Sequence, residues 1–178
     1  LSSNAELINC KVRKIIKTSK GDLWFATESS GAFLFSSIQK ILLQFKHDPG
    51  NTNSMSSNWI NDIIQWDQNT VWFATKGGLS IFSNNSQKFK RIKHDPDNLY
   101  SLSDNDLKCF MRDHTGSVWV GTSGGAINIY NRSNLNFTKI SEVTNTGFGL
   151  NNAATSAILK ENDQSIWVGT SGGGLNYL

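Results

Sequence analysis

The feature that most constrains this chain is a five-residue word that comes round four times. It reads Leu-Trp-Phe-Ala-Thr at Trp24, Val-Trp-Phe-Ala-Thr at Trp72, Val-Trp-Val-Gly-Thr at Trp119 and Ile-Trp-Val-Gly-Thr at Trp167, at intervals of 48, 47 and 48 residues. A fixed period of this length marks a repeat architecture, in which each unit buries its apolar faces only against its neighbours. Glycine follows each word closely, at Gly31, at Gly77 and Gly78, at Gly124 and Gly125, and at Gly172 to Gly174, and leads into a short apolar run. Met55, Leu102 and Leu150 each stand 17 residues before a tryptophan and open Met-Ser-Ser-Asn, Leu-Ser-Asp-Asn and Leu-Asn-Asn-Ala. Lys-His-Asp-Pro at 46–49 returns at 93–96.

Within the second copy the apolar runs are Ile60 to Trp66, Val71 to Thr75, Leu79 to Phe82 and Phe89 to Ile92. Asp67-Gln68-Asn69, Lys76-Gly77-Gly78 and Ser83-Asn84-Asn85-Ser86 separate them, so the unit reads as a four-stranded antiparallel meander. Thr-Lys-Gly-Gly predicts a tight hairpin, and no window carries the period of 3.6 that a helix needs. The tryptophan word is apolar on both faces, so both sides of its sheet are covered. A doubly covered antiparallel sheet that recurs about every 47 residues is a blade between blades, which makes the chain an all-β β-propeller. The outer strand Lys88-Phe89-Lys90-Arg91-Ile92-Lys93 alternates and guards its edge with lysine. Blade boundaries are expected at 1–53, 54–100 and 101–148, with an incomplete fourth blade over 149–178. About four blades in 178 residues predict a sector of a larger ring.

Only 2 prolines and 17% charged residues exclude a collagen-like or disordered chain. A net charge of +3 is too small to imply a nucleic-acid partner. No apolar run reaches the roughly 18–20 residues of a membrane span, so no direct membrane contact is expected of this segment.

The motifs of enzymes and metal sites are missing. Val168 to Gly174 is glycine-rich but lacks the spacing and the lysine of a phosphate loop. His47 and His94 stand beside Asp48 and Asp95 and before a proline, which reads as a loop fixture, since a metal site converges three or four ligands. Asp67, Asp113 and Asp163 lie at the turn before the tryptophan strand. They resemble the aspartate boxes of sialidase propellers, which brace hairpins. Repeated on successive blades, they do not converge to the about 5–10 Å that a glycosidase pair requires. No catalytic residue, metal ligand or cofactor is therefore assigned. Cys10 and Cys109 are expected on the innermost strands of the first and third blades, too far apart for a disulfide and mostly buried.

What remains is a binding surface. Loops 47–57, 94–105 and 141–153, together with the glycine hairpins, are expected on one face of the propeller. Their amides and occasional aromatics suit sugar hydroxyls and pyranose faces, although asparagine also dominates turns through its own side-chain hydrogen bonds. The candidate ligand-binding residues are Asn58, Trp59, Tyr100, Asn105 and Asp106. Trp59 is singled out because the other copies carry no aromatic there, and burial between blades explains it as well.

The stretch from Asp113 through Gly116, Val118-Trp119-Val120-Gly121-Thr122 and Gly124-Gly125 resembles the two-component regulator propeller repeat. The fourth copy is similar from Trp167 to Leu175, whereas the first two carry Ala26 and Ala74 in place of the word's glycine. The resemblance implies the periplasmic sensor region of a hybrid two-component protein of the Bacteroidetes type. In that family seven-bladed propellers precede a membrane span and a histidine kinase, and many such sensors are implicated in detecting polysaccharide fragments. It implies a non-catalytic segment with an oligosaccharide ligand, with a second copy and the remaining blades of its own chain as further partners. A protein-interaction or dimerisation propeller is the alternative, and part of a propeller lyase or sialidase a second one.

Overall fold

The structure, a computed structural model, describes residues 7, 9–124, 127–131, 136–142, 149–162 and 165–178. Every named element within them is a β-strand. The first sheet holds β1 (Val12–Lys17), β2 (Leu23–Thr27), β3 (Ala32–Phe35) and β4 (Leu42–Phe45). The second holds β5 (Ile60–Gln65), β6 (Thr70–Thr75), β7 (Gly78–Ser83) and β8 (Lys88–Ile92). The third holds β9 (Leu107–Arg112), β10 (Val118–Thr122), β11 (Ile127–Tyr130) and β12 (Phe137–Ile140). The last holds β13 (Thr155–Lys160), β14 (Ile166–Thr170) and β15 (Gly174–Tyr177). Each sheet follows chain order with antiparallel neighbours, which is the predicted meander. The tryptophan word forms the second strand every time.

The chain divides into two compact units, Leu1–Ile92 and Lys93–Leu178, each with two sheets. In the first, the register Ile16↔Trp24↔Leu34↔Leu43 places Trp24 on the face that meets the second sheet. There Trp24 is 1% exposed and packs among Phe73, Phe82 and Phe45 at centroid distances of 5.0, 5.0 and 5.4 Å. Ile60, Ile63, Val71 and Phe89 complete this core. In the second unit the corresponding core is aliphatic: Met111, Ile127, Leu150, Ile166 and Val168 are buried, with Trp119, Ile129 and Ile158 packed against them.

One tryptophan face lacks such cover. Leu159, Trp167 and Tyr177 lie in register across β13, β14 and β15. Leu159, Leu175 and Tyr177 are 65%, 63% and 56% exposed. This face therefore presents apolar side chains to water where Trp24 and Trp119 meet a neighbouring sheet.

Two devices recur in all four sheets. Each innermost strand carries a bulge in its pairing with the second strand, at Val12/Lys14, Ile60/Asp62, Leu107/Cys109 and Thr155/Ala157. The residue after each word's threonine donates its N–H to the carbonyl just ahead of the innermost strand or its bulge. The pairs are Glu28 to Lys11, Lys76 to Trp59, Ser123 to Asp106 and Ser171 to Ala154, at 2.7 to 3.2 Å. The threonine hydroxyl closes the hairpin by donating to Gly31, Gly78 or Gly174, at 2.7, 2.7 and 3.2 Å. Gly77 is needed in its hairpin because a Cβ would stand 2.4 Å from the Ser56 carbonyl.

The cysteines depart from expectation. Cys10 lies in a bend ahead of β1, because that strand's pairing with Thr27 starts only at Val12. Cys109 is in β9 as predicted, and both cysteines lie outside any disulfide and are half-buried rather than mostly buried. The Cys109 sulfur occupies the space over Gly121, 2.7 Å from where a Cβ would be.

Candidate functional site

The two Lys-His-Asp-Pro segments open loops built from the same bonds, 47 residues apart. In the first, the His47 N–H donates to Asn58 Oδ1 at 2.7 Å and the His47 Nδ1–H to the Met55 carbonyl at 2.6 Å. The Asp48 N–H donates to Ser54 Oγ at 2.8 Å, and that hydroxyl donates back to the Asp48 carbonyl at 3.0 Å. In the second, His94 repeats both bonds with Asn105 at 2.8 Å and Leu102 at 2.6 Å. Asp95 and Ser101 repeat the reciprocal pair at 3.0 and 2.8 Å. Since a carbonyl only accepts, each imidazole carries its proton on Nδ1. Histidine is a loop fixture in both.

The candidate residues fall into this frame. Asn58 and Asn105 occupy one position of the repeat and spend their side-chain oxygens on the histidine N–H groups. Trp59 and Asp106 share the next position, at the rim where the hairpin bonds end. Trp59 is half-buried, donates from Nε1 to Asn61 Oδ1 at 3.1 Å and carries the Lys76 ammonium 3.5 Å from its ring centroid. Asp106 pairs with Lys108 at 2.7 Å through Oδ2, while its Oδ1 is buried without a hydrogen-bond partner. Tyr100 sits elsewhere on its loop, 59% exposed beside Leu99 at 81%, and its carbonyl accepts from Phe137 N–H at 3.3 Å. The structure thus brings Asn58 to Trp59 and Asn105 to Asp106, and sets Tyr100 on the outer-strand side of its loop. Asn145, one of the amides of the 141–153 loop, lies outside the described residues.

A third member of the frame was not singled out from the sequence. Ser56, just after Met55, bonds to Thr75 Oγ1 at 2.9 Å and Ser80 Oγ at 2.6 Å, all three buried. Ser103 with Thr122 and Asn128, and Asn151 with Thr170 and Asn176, repeat the cluster. The spacing between these positions was the signal that could have found it.

The turn aspartates brace hairpins. Asp113 Oδ1 accepts from the N–H groups of Thr115 and Ser117 at 2.9 and 3.0 Å, and Oδ2 accepts from Trp119 Nε1 at 2.8 Å. Burial works to raise its pKa, but the hydrogen bonds from Thr115, Trp119 and Ser117 outweigh it and hold the carboxyl below the usual 3.8. Asp67 Oδ1 accepts from Asn69 and Thr70 N–H, each at 2.7 Å. Asp163 lies outside the described residues. Among the described residues no group of three or more His, Cys, Asp or Glu is placed to hold a metal ion.

Residues 101–124, from the end of the second His-Asp-Pro loop through the word at Trp119 to Gly124, match the family model of the two component regulator propeller. The match takes in β9 and β10, the two inner strands of the third sheet. No curated protein sequence matches the chain. Among solved structures it is similar to the extracellular domain of the hybrid two component system BT4673 from B. thetaiotaomicron, at 20% identity and a TM-score of 0.54. That match covers 96% of this chain and 28% of the other, so the chain spans well under a third of its relative. It is also similar to virginiamycin B lyase from Staphylococcus aureus, at 15% identity and a TM-score of 0.64, over 96% of this chain and 56% of that one. The WD40 β-propeller domain of Doa1 matches at 12% identity and a TM-score of 0.67, over 95% and 51%. At these identities the likeness is one of fold: the sheets of this chain are β-propeller blades.

Proposed function

We propose that this chain is part of the extracytoplasmic sensing propeller of a hybrid two-component sensor. In this reading it sits in the periplasm, is non-catalytic, binds oligosaccharide or polysaccharide fragments and signals to a histidine kinase of the same protein. The observation that carries the reading is the regulator propeller repeat at 101–124, recurring in register with the words at Trp24, Trp72 and Trp167.

The architecture constrains the mechanism. Blades tied by paired strands, reciprocal loop bonds and packed cores deform little, so a ligand acts by binding one arrangement of domains or subunits better than another. The exposed Trp167 face takes a further blade of the same kind, as the equivalent faces of Trp24 and Trp119 do within their units. Trp167 emission in the complete ectodomain is then blue-shifted relative to the 178-residue chain; an unshifted band refutes the added blade.

Calorimetric titration of the complete ectodomain against dietary and host glycans tests the ligand class, and phosphotransfer by the full-length protein tests the output. Binding of at least one glycan that changes kinase activity is the expected result. Silence to the whole panel overturns sugar sensing.

A further inference from the structure

Four turns lie at one end of the first unit: 18–22 between β1 and β2, 36–41 between β3 and β4, 66–69 between β5 and β6, and 84–87 between β7 and β8. Hydrogen bonds tie them into one surface. The Ser37 N–H donates to Asp22 Oδ1 at 2.8 Å. The Ser19 N–H donates to Gln65 Oε1 at 2.8 Å, and Gln65 Nε2 returns to Ser19 Oγ at 2.9 Å. The Asn84 N–H donates to the Asn69 carbonyl at 2.7 Å. On this surface Ile38 is 83% exposed, and Ile41, just ahead of β4, is 40% exposed. We infer that this end of the unit docks on the surface of an anionic lipid bilayer, with Ile38 entering the headgroup layer and neighbouring lysines meeting lipid phosphates.

The fold does not require an apolar residue at that tip. The turn at 36–40 and its repeat at 83–87 are built alike. The Lys40 N–H donates to the Ser36 carbonyl at 2.9 Å and the Gln87 N–H to the Ser83 carbonyl at 2.8 Å, and Lys40 and Gln87 have φ of 56° and 55°. The hydroxyls of Ser36 and Ser83 accept from the N–H groups of Gln39 and Ser86 in the same way. Yet Asn85 stands where the first turn has Ile38, and Lys88 stands where it has Ile41. The aliphatic tip is therefore an addition to a turn that folds without it. Transfer into a bilayer interface removes its apolar area from water.

Charge selects the lipid. Lys17, Lys20, Lys40 and Lys88 are exposed on these turns and the strand ends beside them, and among the described residues none of the four forms an ion pair. The carboxylates of the same surface are engaged by main-chain donors, Asp22 by Ser37 and Asp67 by Asn69 and Thr70. Cations around an apolar tip are what an anionic bilayer attracts. Half-buried Trp66, stacked on Trp72 at a centroid distance of 4.7 Å, adds an aromatic of the kind that sits at headgroup level. A second copy of the chain is a poorer occupant, because it would set the same lysines against one another. Among the described residues no helix is long and apolar enough to cross a membrane, and surface contact needs none.

The test is co-sedimentation of the complete ectodomain with vesicles of phosphatidylcholine, alone or mixed with phosphatidylglycerol. The mixed vesicles bind the protein about tenfold or more strongly, and the preference fades as salt rises. Lys20→Glu with Lys40→Glu removes the preference, and Ile38→Asn, which copies the second turn, weakens binding about fivefold. Emission of the Ile38→Trp variant gains a blue-shifted component on mixed vesicles. Lys46→Glu with Lys93→Glu, past the opposite ends of β4 and β8, makes the same change in net charge and loses far less; circular dichroism checks that each variant folds. Absent or equal binding to the two vesicle types, binding unchanged by Ile38→Asn, or an equal loss in the distant pair overturns the inference. So does a polyglutamate peptide that binds as tightly and ignores Ile38→Asn, which would mark a dock for an acidic protein. No glycan or kinase enters these measurements, so the bilayer contact and the sensor reading stand or fall separately.

Discussion

The two units spell the same word with different letters. The first uses Trp-Phe-Ala-Thr twice and the second Trp-Val-Gly-Thr twice, and the packing follows. With phenylalanine in the word, the first unit builds an aromatic core in which Trp24, Phe45, Phe73, Phe82 and Phe89 contact one another at 5.0 to 5.7 Å. With valine and glycine, the second brings its sheets together through aliphatic side chains. A Cβ on Gly121 would stand 2.8 Å from Thr155 Cγ2 on the next sheet. Bulk at one position of the word is exchanged for close approach at another.

Substitutions can break or sharpen that contrast, and the largest effect is expected at the tryptophans. Trp24→Ala should cost about 3–5 kcal/mol by opening a cavity among aromatic rings, whereas Trp167→Ala in the 178-residue chain should cost about 1 kcal/mol, chiefly its contact with Tyr177. Urea unfolding of both variants compares them, and equal losses would show that the Trp167 face is covered in solution. Gly121→Ala comes next at about 1–3 kcal/mol, since neither Cys109 nor Thr155 leaves room. The reciprocal Ala26→Gly should cost no more than about 1 kcal/mol, and pairing Gly121→Ala with Cys109→Ala should restore part of the loss. If Gly121→Ala is neutral by thermal melting, the glycine does not set the sheet spacing.

Asp113 offers a smaller effect with a pH signature. Its carboxyl is held below the ordinary value, so its contribution is present above that value, where the unfolded state has also lost its proton, and fades as pH falls through the native one. Asp113→Asn should cost about 1 kcal/mol at neutral pH and flatten the acid limb of the stability profile. An acid limb identical to that of the parent protein would refute the role. The smallest contrast lies between the loops. Asn58→Ala should cost about 1 kcal/mol and Asn105→Ala less, because the first bond is part-buried and the second exposed. Equal melting temperatures for the two variants would remove that ranking.

Much of the fold was written in the order of residues because a propeller blade is local: each strand pairs with the next along the chain. The word at Trp72 located β6 within one residue, and the turn at Lys76-Gly77 located its hairpin. Cys10 was misplaced because the start of β1 is set by its partner Thr27, which no property of Cys10 announces. The candidate residues illustrate the same limit. Asn58 and Asn105 are candidates as single residues; that each spends its side-chain oxygen on a histidine N–H is visible only in the folded loop.

The bond from each hairpin to the start of its innermost strand is made by main-chain atoms at both ends. The frame therefore places no chemical demand on the side chains there, and Glu28, Lys76, Ser123 and Ser171 already differ in charge and size on an unchanged scaffold. Hairpins anchored through their backbone can exchange side chains one residue at a time, so the surface of this architecture can be rewritten without first having to refold.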